Sequence, residues 1–198
     1  MFIGISQRLL LNESYYELRE ALALEWGEFF RKNLSSFLPL PLSYEVDFKL
    51  YAPHLKGVIL SGGNDLNSLN PSELSFKRDA YETKIISYCF KKNLPLLGIC
   101  RGAQMIAQHF NSTLKPCQNH IGSHQITTKK GKFEVNSFHN FCIENLGENL
   151  KALAFTKDQS IEAFRHKKKH IYGIMWHIER EKGLNEKDIF KKWLKGVK

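Results

Sequence analysis

Cys100 stands in "GICRG", with Gly98 two residues before it and Gly102 two residues after. The apolar run "LPLLGI" ends at this cysteine and a helical pattern starts with residue 101. Such a joint puts a helix N-terminus under the sulfur, where its dipole and free N–H groups favour the thiolate, the reactive form of the thiol. The same N–H groups can hold an oxyanion during acyl transfer. Small residues two before and two after relieve the crowding of a sharp strand-to-helix turn, a need that a cysteine placed only for packing does not have. The pattern is that of a nucleophile elbow.

A thiol nucleophile needs a base, and the base needs an orienter. Of the 8 histidines, His177 is set apart by Glu179 two positions on, in "MWHIER" after the strand-like "IYGIM". Residues two apart in extended chain point to the same side. Glu179 can therefore brace the His177 ring and stabilise its protonated form. His139, in "VNSFHN", is the second candidate base, or else a structural or substrate-contacting histidine.

Other residues have the right types for chemistry but weaker spacing. Cys117, His120 and His124, in "CQNHIGSH", have spacings a metal site could use, but no fourth ligand follows. Neither a metal nor any other cofactor is expected. The loop "SGGND" lacks the Lys-Ser/Thr signature of a phosphate loop, and its Asp65 is read as capping or shaping the loop. Arg78 and Glu82, four apart on a helical stretch, read as a surface ion pair. Cys89 and Cys142 read as core.

Strand-like and helix-like segments alternate to carry these residues. "FIGIS" is a strand, and Leu18, Leu22, Trp26, Phe29 and Phe30 recur at helical steps between Ser14 and Asn33. "LPLPL" is extended, because proline disfavours helix at the residue before it. "GVILS" and "LPLLGI" are buried strands, with helices over about 76–92 and 101–110. The predicted architecture is α/β, a three-layer sandwich with a mainly parallel central sheet. Beyond residue 112, "HQITTKK" and "KFEVNSF" flank Gly131 as a small antiparallel hairpin. "KALAFT", "SIEAFRH" and "HIYGIMW" follow as short strands, and "NEKDIFKKWLKG" closes as a helix with Asn185 as its N-cap. No repeat or linker interrupts residues 1–198, which read as a single domain.

"GVILSGGND", "LPLLGICRGAQMIA", "VNSFHNFCI" and "GIMWHIE" come in this order and span most of the chain. Together they resemble the class I glutamine amidotransferase-like superfamily (flavodoxin-like in architecture), and its γ-glutamyl hydrolase branch in particular. The resemblance implies hydrolysis of a γ-glutamyl amide by a Cys100, His177 and Glu179 triad. It implies an oxyanion hole of Gly62, Gly63 and the Arg101 amide. It implies substrate contacts from Gln104 and from the stretch Asn136, Ser137, Phe138 and His139. Ile178 stands where the family has proline in its His-Pro-Glu, and "NST" at 111–113 replaces paired glycines. Two other readings of the scaffold stay open: a glutaminase subunit serving a separate synthase, and a non-catalytic binding protein.

Composition bounds the partners. Lys+Arg number 29 against 20 Asp+Glu, for a net charge of +9. Nucleic acid is not expected, since no basic stripe with interleaved aromatics appears. No apolar stretch is long enough to span a bilayer, and "MFIGIS" does not read as a signal peptide, so a cytoplasmic protein with reduced thiols is expected. The expected partner is a small γ-glutamyl molecule whose leaving group is anionic, drawn by the positive field, the alternative being that the charge is generic solvated surface. Arg78, Arg101, Lys77 and "RHKKKH" at 165–170 are the candidate sources of that field at the pocket.

Overall fold

The computed structural model describes residues 1–197; Lys198, the last residue of the expected domain, lies outside them. Strand Phe2–Ser6 (β1) leads into a hairpin of Arg8–Leu11 (β2) and Leu18–Ala21 (β3), then helix Leu24–Asn33 (α1) and strand Leu38–Leu42 (β4). A helical turn, Phe48–Tyr51 (α2), precedes strand Leu55–Leu60 (β5), helix Glu73–Lys92 (α3), strand Leu96–Ile99 (β6) and helix Arg101–His109 (α4). The second half is strand-rich: Thr113–Pro116 (β7), Ile121–Thr128 (β8), Gly131–Phe138 (β9), Phe141–Asn145 (β10), Leu150–Phe155 (β11), Ile161–His166 (β12) and Ile171–Ile174 (β13). Helix Asp188–Leu194 (α5) closes it.

The main sheet runs β4-β1-β5-β6-β13-β12-β11-β8-β9, with β10 and β7 branching from β12. From β4 to β13 every neighbour is parallel; from β13 to β9 every neighbour is antiparallel. The parallel strands are apolar almost throughout because helices cover both faces. On one face Trp26, Phe29 and Phe30 of α1 and Ile189, Phe190 and Trp193 of α5 pack on Ile5, Ile59, Leu97 and Ile174. On the other, Ile85 and Ile86 of α3 and Ala103 and Ile106 of α4 pack on Val58, Leu60 and Leu96. The three-layer α/β expectation holds. The β8–β9 hairpin forms, but as the edge of the main sheet, and β2–β3 is the separate two-stranded sheet.

Two local expectations are corrected. The helix expected from Ser14 begins only at Leu24, because β3 is held in extended form from outside. Glu20 accepts hydrogen bonds from the Ser43 hydroxyl (2.9 Å) and the Tyr44 amide (2.7 Å), and Asn64 brackets both backbone groups of Leu9 on β2. Asn185 does not cap α5. Its side chain donates to the Glu134 carbonyl (2.8 Å), while Glu186 accepts from the Asp188 and Ile189 amides at the start of that helix.

Candidate active site

The carboxyl ends of β5, β6 and β13 meet at one edge of the sheet, where ligands of open α/β sheets bind. The chain beyond them supplies Ser61–Gly63, Cys100 and His177 in turn. Cys100 has φ 51° and ψ −108°, a left-handed conformation for a side-chain-bearing residue. Such strain costs roughly 1–3 kcal/mol and persists only where the surroundings enforce it. Here the Cys100 amide donates to the Ile174 carbonyl of β13 (2.8 Å), while the amides of Ala103 and Gln104 wind the helix onto the Cys100 carbonyl. The two flanking glycines allow a close approach. A Cβ on Gly98 would run into the Gly102 carbonyl, and one on Gly102 into the Leu60 carbonyl of β5.

Cys100 and His177 line one cavity of about 320 Å³. The His177 Nδ1 lies 2.7 Å from Glu179 Oε1, and both side chains are buried. Burial is the largest influence on this ring and opposes its charge, but the Cys100 sulfur and the Glu179 carboxylate outweigh it and hold the pKa up to about 10. The arrangement can therefore hold a thiolate against an imidazolium. Gly62 fills the gap beside them: a Cβ there would lie 2.7 Å from His177 Cε1 and 3.5 Å from Cys100 Cβ. Asn136 on β9 fastens the backbone of His177, accepting from its amide and donating to its carbonyl, both at 2.9 Å.

Arg78 is the residue whose part in this site the sequence concealed. It is fully buried on α3, paired with Glu82 at 3.0 Å, so the surface ion pair expected there is corrected. Its guanidinium donates to the carbonyls of Ser61 (2.8 Å), Gly62 (3.1 Å) and Gly63 (2.7 Å). In a trans peptide the N–H points opposite to the C=O, so three carbonyls drawn toward Arg78 turn the N–H groups that follow them away from it. Glu82 also pairs with Arg101, as does Asp79, so two arginines share two carboxylates beneath the elbow.

The expected substrate contacts divide. Gln104 lines the cavity and donates to the Phe141 carbonyl (2.8 Å). Phe138 lines it too, half exposed, with its ring 5.7 Å from that of His177. The side chains of Asn136 and Ser137 are engaged elsewhere, Asn136 on His177 and Ser137 on the His120 carbonyl (2.5 Å). His139 reaches the cavity rim, with Nδ1 3.1 Å from the Phe141 carbonyl. Asp65 shapes its loop by accepting from Asn70 (3.1 Å). Cys89 and Cys142 are buried as expected. His120 and His124 do lie together, but with His139 and Glu162 rather than with Cys117, whose sulfur sits 3.7 Å from the His139 Nδ1.

The positive charge expected at the pocket has other sources. Arg101 lines the cavity, but its guanidinium is paired with buried Glu82 and half-buried Asp79, that of Arg78 is paired with Glu82, and Lys77 pairs with Glu45. "RHKKKH" precedes Ile171, which lies beside Leu96 at the start of β6, the far edge of the sheet from Cys100. The cations at the cavity mouth are Arg8 and Arg180. Arg8 folds across Gly63, and the Arg180 guanidinium lies 4.8 Å from the Phe138 ring centre. Arg8 follows the carboxyl end of β1 and Arg180 directly follows Glu179, positions that the topology rule for α/β sheets would have flagged.

The Peptidase C26 family matches residues 2–179. The chain is 59% identical over 199 residues to the gamma-glutamyl-CDP-amidate hydrolase of Campylobacter jejuni, covering 100% of both. It is 28% identical over 137 residues to a glutamine-hydrolyzing GMP synthase subunit of Methanococcus vannielii, covering 64% of this chain and 66% of that one. Among solved structures, a glutamine amidotransferase of Methylobacillus flagellatus superposes with a TM-score of 0.70 at 12% identity, over 99% of this chain and 94% of that one. One from Thermotoga maritima superposes with a TM-score of 0.66 at 18% identity, over 98% and 84%. Both share the fold.

Proposed function

Because the chain belongs to the Peptidase C26 family, we propose that it hydrolyses a γ-glutamyl amide through a glutamyl thioester on Cys100. The observation that carries this reading is the cavity itself, where the Cys100 sulfur, the Glu179-braced ring of His177 and the Arg78-tethered loop converge. The Cys100 thiolate attacks the γ-carbonyl. The amides of Gly62, Gly63 and Arg101 hold the oxyanion as it develops. His177 gives its proton to the departing nitrogen, then takes one from the water that cleaves the thioester. Glu179 stays ionised and keeps the ring oriented. The products are glutamate and the released nitrogen compound.

The proposed substrate is γ-glutamyl-CDP-amidate, the molecule in the name of the Campylobacter jejuni relative, with cytidine diphosphoramidate as the second product. Arg8 and Arg180 at the mouth suit its diphosphate, and Gln104 suits the glutamyl end. The proposal extends to a cytoplasmic role in capsule polysaccharide modification. Among the described residues no helix is long and apolar enough to cross a membrane. A second reading, glutaminase activity feeding a separate synthase, is favoured by the similarity to a GMP synthase subunit.

Incubation with γ-glutamyl-CDP-amidate and with free glutamine separates the two. Release of glutamate from the first alone, with a glutamyl adduct on Cys100 in the intact mass, is the expected result. Turnover of glutamine alone would overturn the proposed substrate, and substantial activity in Cys100→Ala would overturn the mechanism.

A further inference from the structure

We propose that His120, His124, His139 and Glu162 form a tetrahedral site for a divalent transition metal, zinc by the chemistry of its donors. The four ligand atoms lie within 4.8 Å of one another. His120 Nδ1 is 3.4 Å from Glu162 Oε1, His139 Nε2 is 3.5 Å from that same oxygen, and His124 Nε2 is 3.3 Å from Glu162 Oε2. Donors around a tetrahedral zinc with bond lengths of ~2.1 Å stand about 3.4 Å apart. The three nitrogen–oxygen distances match that spacing, as donors around a shared central ion would.

The hydrogen bonding gives an independent argument. Glu162 is fully buried and His120 and His139 nearly so, yet His120 Nδ1, His124 Nε2, His139 Nε2 and both Glu162 oxygens have no hydrogen-bond partner among the described residues. Buried polar atoms are almost always satisfied, so five orphans around one point need an explanation. The opposite ring atoms of two of the three histidines are engaged, while His124 Nδ1 has no partner among the described residues. His120 Nε2 faces Asp158 Oδ2 and His139 Nδ1 faces the Phe141 carbonyl, each at 3.1 Å. Each partner is an acceptor, so it fixes the proton on the outer nitrogen and leaves a lone pair on the inner one. That is the tautomer a metal-bound histidine requires, together with its usual supporting acceptor. Three neutral imidazoles and one carboxylate suit zinc in charge and softness.

Four protein ligands close the coordination sphere, so the ion is structural and takes no part in the bond-breaking at Cys100. Its position indicates what it holds. His120 precedes β8 and His124 lies on it, His139 follows β9, and Glu162 lies on β12. The Glu162 carbonyl accepts from the Met175 amide (2.8 Å), two residues before His177. The ion would clamp the hairpin end that carries Phe138 to the strand beside the one that delivers the base. The sequence concealed the site because the fourth ligand lies 38 residues after His124.

The test uses the intact protein, purified without a metal-affinity step. Elemental analysis is expected to find one zinc per chain. Removal by a strong chelator is expected to lower Tm, and added zinc to restore it. Cobalt loaded into the stripped protein is expected to give the intense visible d–d absorption of a tetrahedral centre, without the near-ultraviolet charge-transfer band of a thiolate ligand. Glu162→Gln and His124→Asn are each expected to lose stoichiometric metal. Protein that is metal-free as purified and takes up neither zinc nor cobalt after stripping would overturn the proposal, leaving a histidine–carboxylate cluster that shares protons. A thiolate band would overturn this ligand set in favour of Cys117. Full metal retention by both variants would overturn it as well, and because the wild-type measurements stand alone, a variant that fails to fold does not decide the outcome.

Discussion

Arg78→Lys tests whether the oxyanion loop is held from beneath. The guanidinium fork makes three hydrogen bonds to consecutive carbonyls and one to Glu82. A lysine keeps the charge near Glu82, but a single ammonium cannot span carbonyls that diverge from Ser61 to Gly63. At least two of the three loop bonds are lost. Hydrogen bonds to a charged donor contribute ~1.5–3 kcal/mol each, so the loss of two costs about 3–6 kcal/mol. Recapture of one carbonyl by a loop rearrangement would bring it to the lower end. At ~2–4 °C of Tm per kcal/mol for a chain of this length, melting should fall by roughly 10 °C. The released loop no longer presents its amides, and loss of one oxyanion donor typically costs ~10²–10³ in kcat. The discriminating assay is alkylation of Cys100 by iodoacetamide, a displacement at saturated carbon that develops no oxyanion. Amide turnover should drop by two orders of magnitude or so while alkylation keeps its rate. Equal losses in both would refute the reasoning, because the damage would then lie in the thiolate–imidazolium pair. Unchanged turnover in folded protein would refute it too.

Further expectations concern the base and the cavity mouth. His177→Asn should be about as harmful to kcat as loss of Cys100, since members of such a unit act together, whereas Glu179→Gln should hurt less because an orienter rather than a proton carrier is altered; kcat of the two variants measured side by side checks the order. The His177 pKa is raised from 6.5 to about 10 in the folded protein. Its charged ring therefore stabilises the fold fully below the unfolded value and loses that contribution as pH rises through about 10, so urea unfolding should show stability falling across that window in wild type and much less in His177→Asn. If Arg8 and Arg180 capture an anionic leaving group, kcat/KM for γ-glutamyl-CDP-amidate should fall with ionic strength and with Arg180→Gln, while a neutral γ-glutamyl anilide should respond to neither. A flat salt response for both substrates would remove the support for that capture.

The elbow at Cys100 was legible because its signals are local. Gly98 and Gly102 sit two residues either side of the thiol, and the structure uses both for close approach to neighbouring backbone. The Glu179 brace was legible for the same reason, since two residues of extended chain fix which side each faces. What failed to show were long-range contacts. Arg78 and Glu82 have the spacing of an ordinary exposed helical pair, and nothing local reveals that α3 turns them inward beneath a loop 15 residues upstream. The β2–β3 hairpin was missed because Leu18, Leu22 and Trp26 fit a helical period, while the hydrogen bonds that override it come from Asn64 and residues 43–44. Charge count was the weakest guide. A net +9 pointed to the pocket, yet "RHKKKH" lies at the opposite end of the parallel strands, and the two arginines at the cavity mouth were hidden among 29 basic residues.

The β8–β9 hairpin ties these parts together through its register. Alternate residues of β9 face opposite sides. Asn136 and Phe138 turn toward His177, one bonding its backbone and the other standing edge-on to its ring. Ser137 turns the other way onto the His120 carbonyl, and His139 follows on that side toward Glu162. The pairing that sets this is Ser123 opposite Asn136 and Gly122 opposite Ser137. A slip of one residue would exchange the two faces, aiming Ser137 at His177 and Asn136 at the histidine cluster. Ile126 and Val135, both fully buried in the core, resist such a slip, and a link between the strands at the open end would add to that restraint. The His120, His124, His139 and Glu162 cluster sits where it can supply that link, because its histidines come from both sides of the hairpin and Glu162 is on β12. A clamp there fixes the register once, and with it the placement of the residues that hold the base.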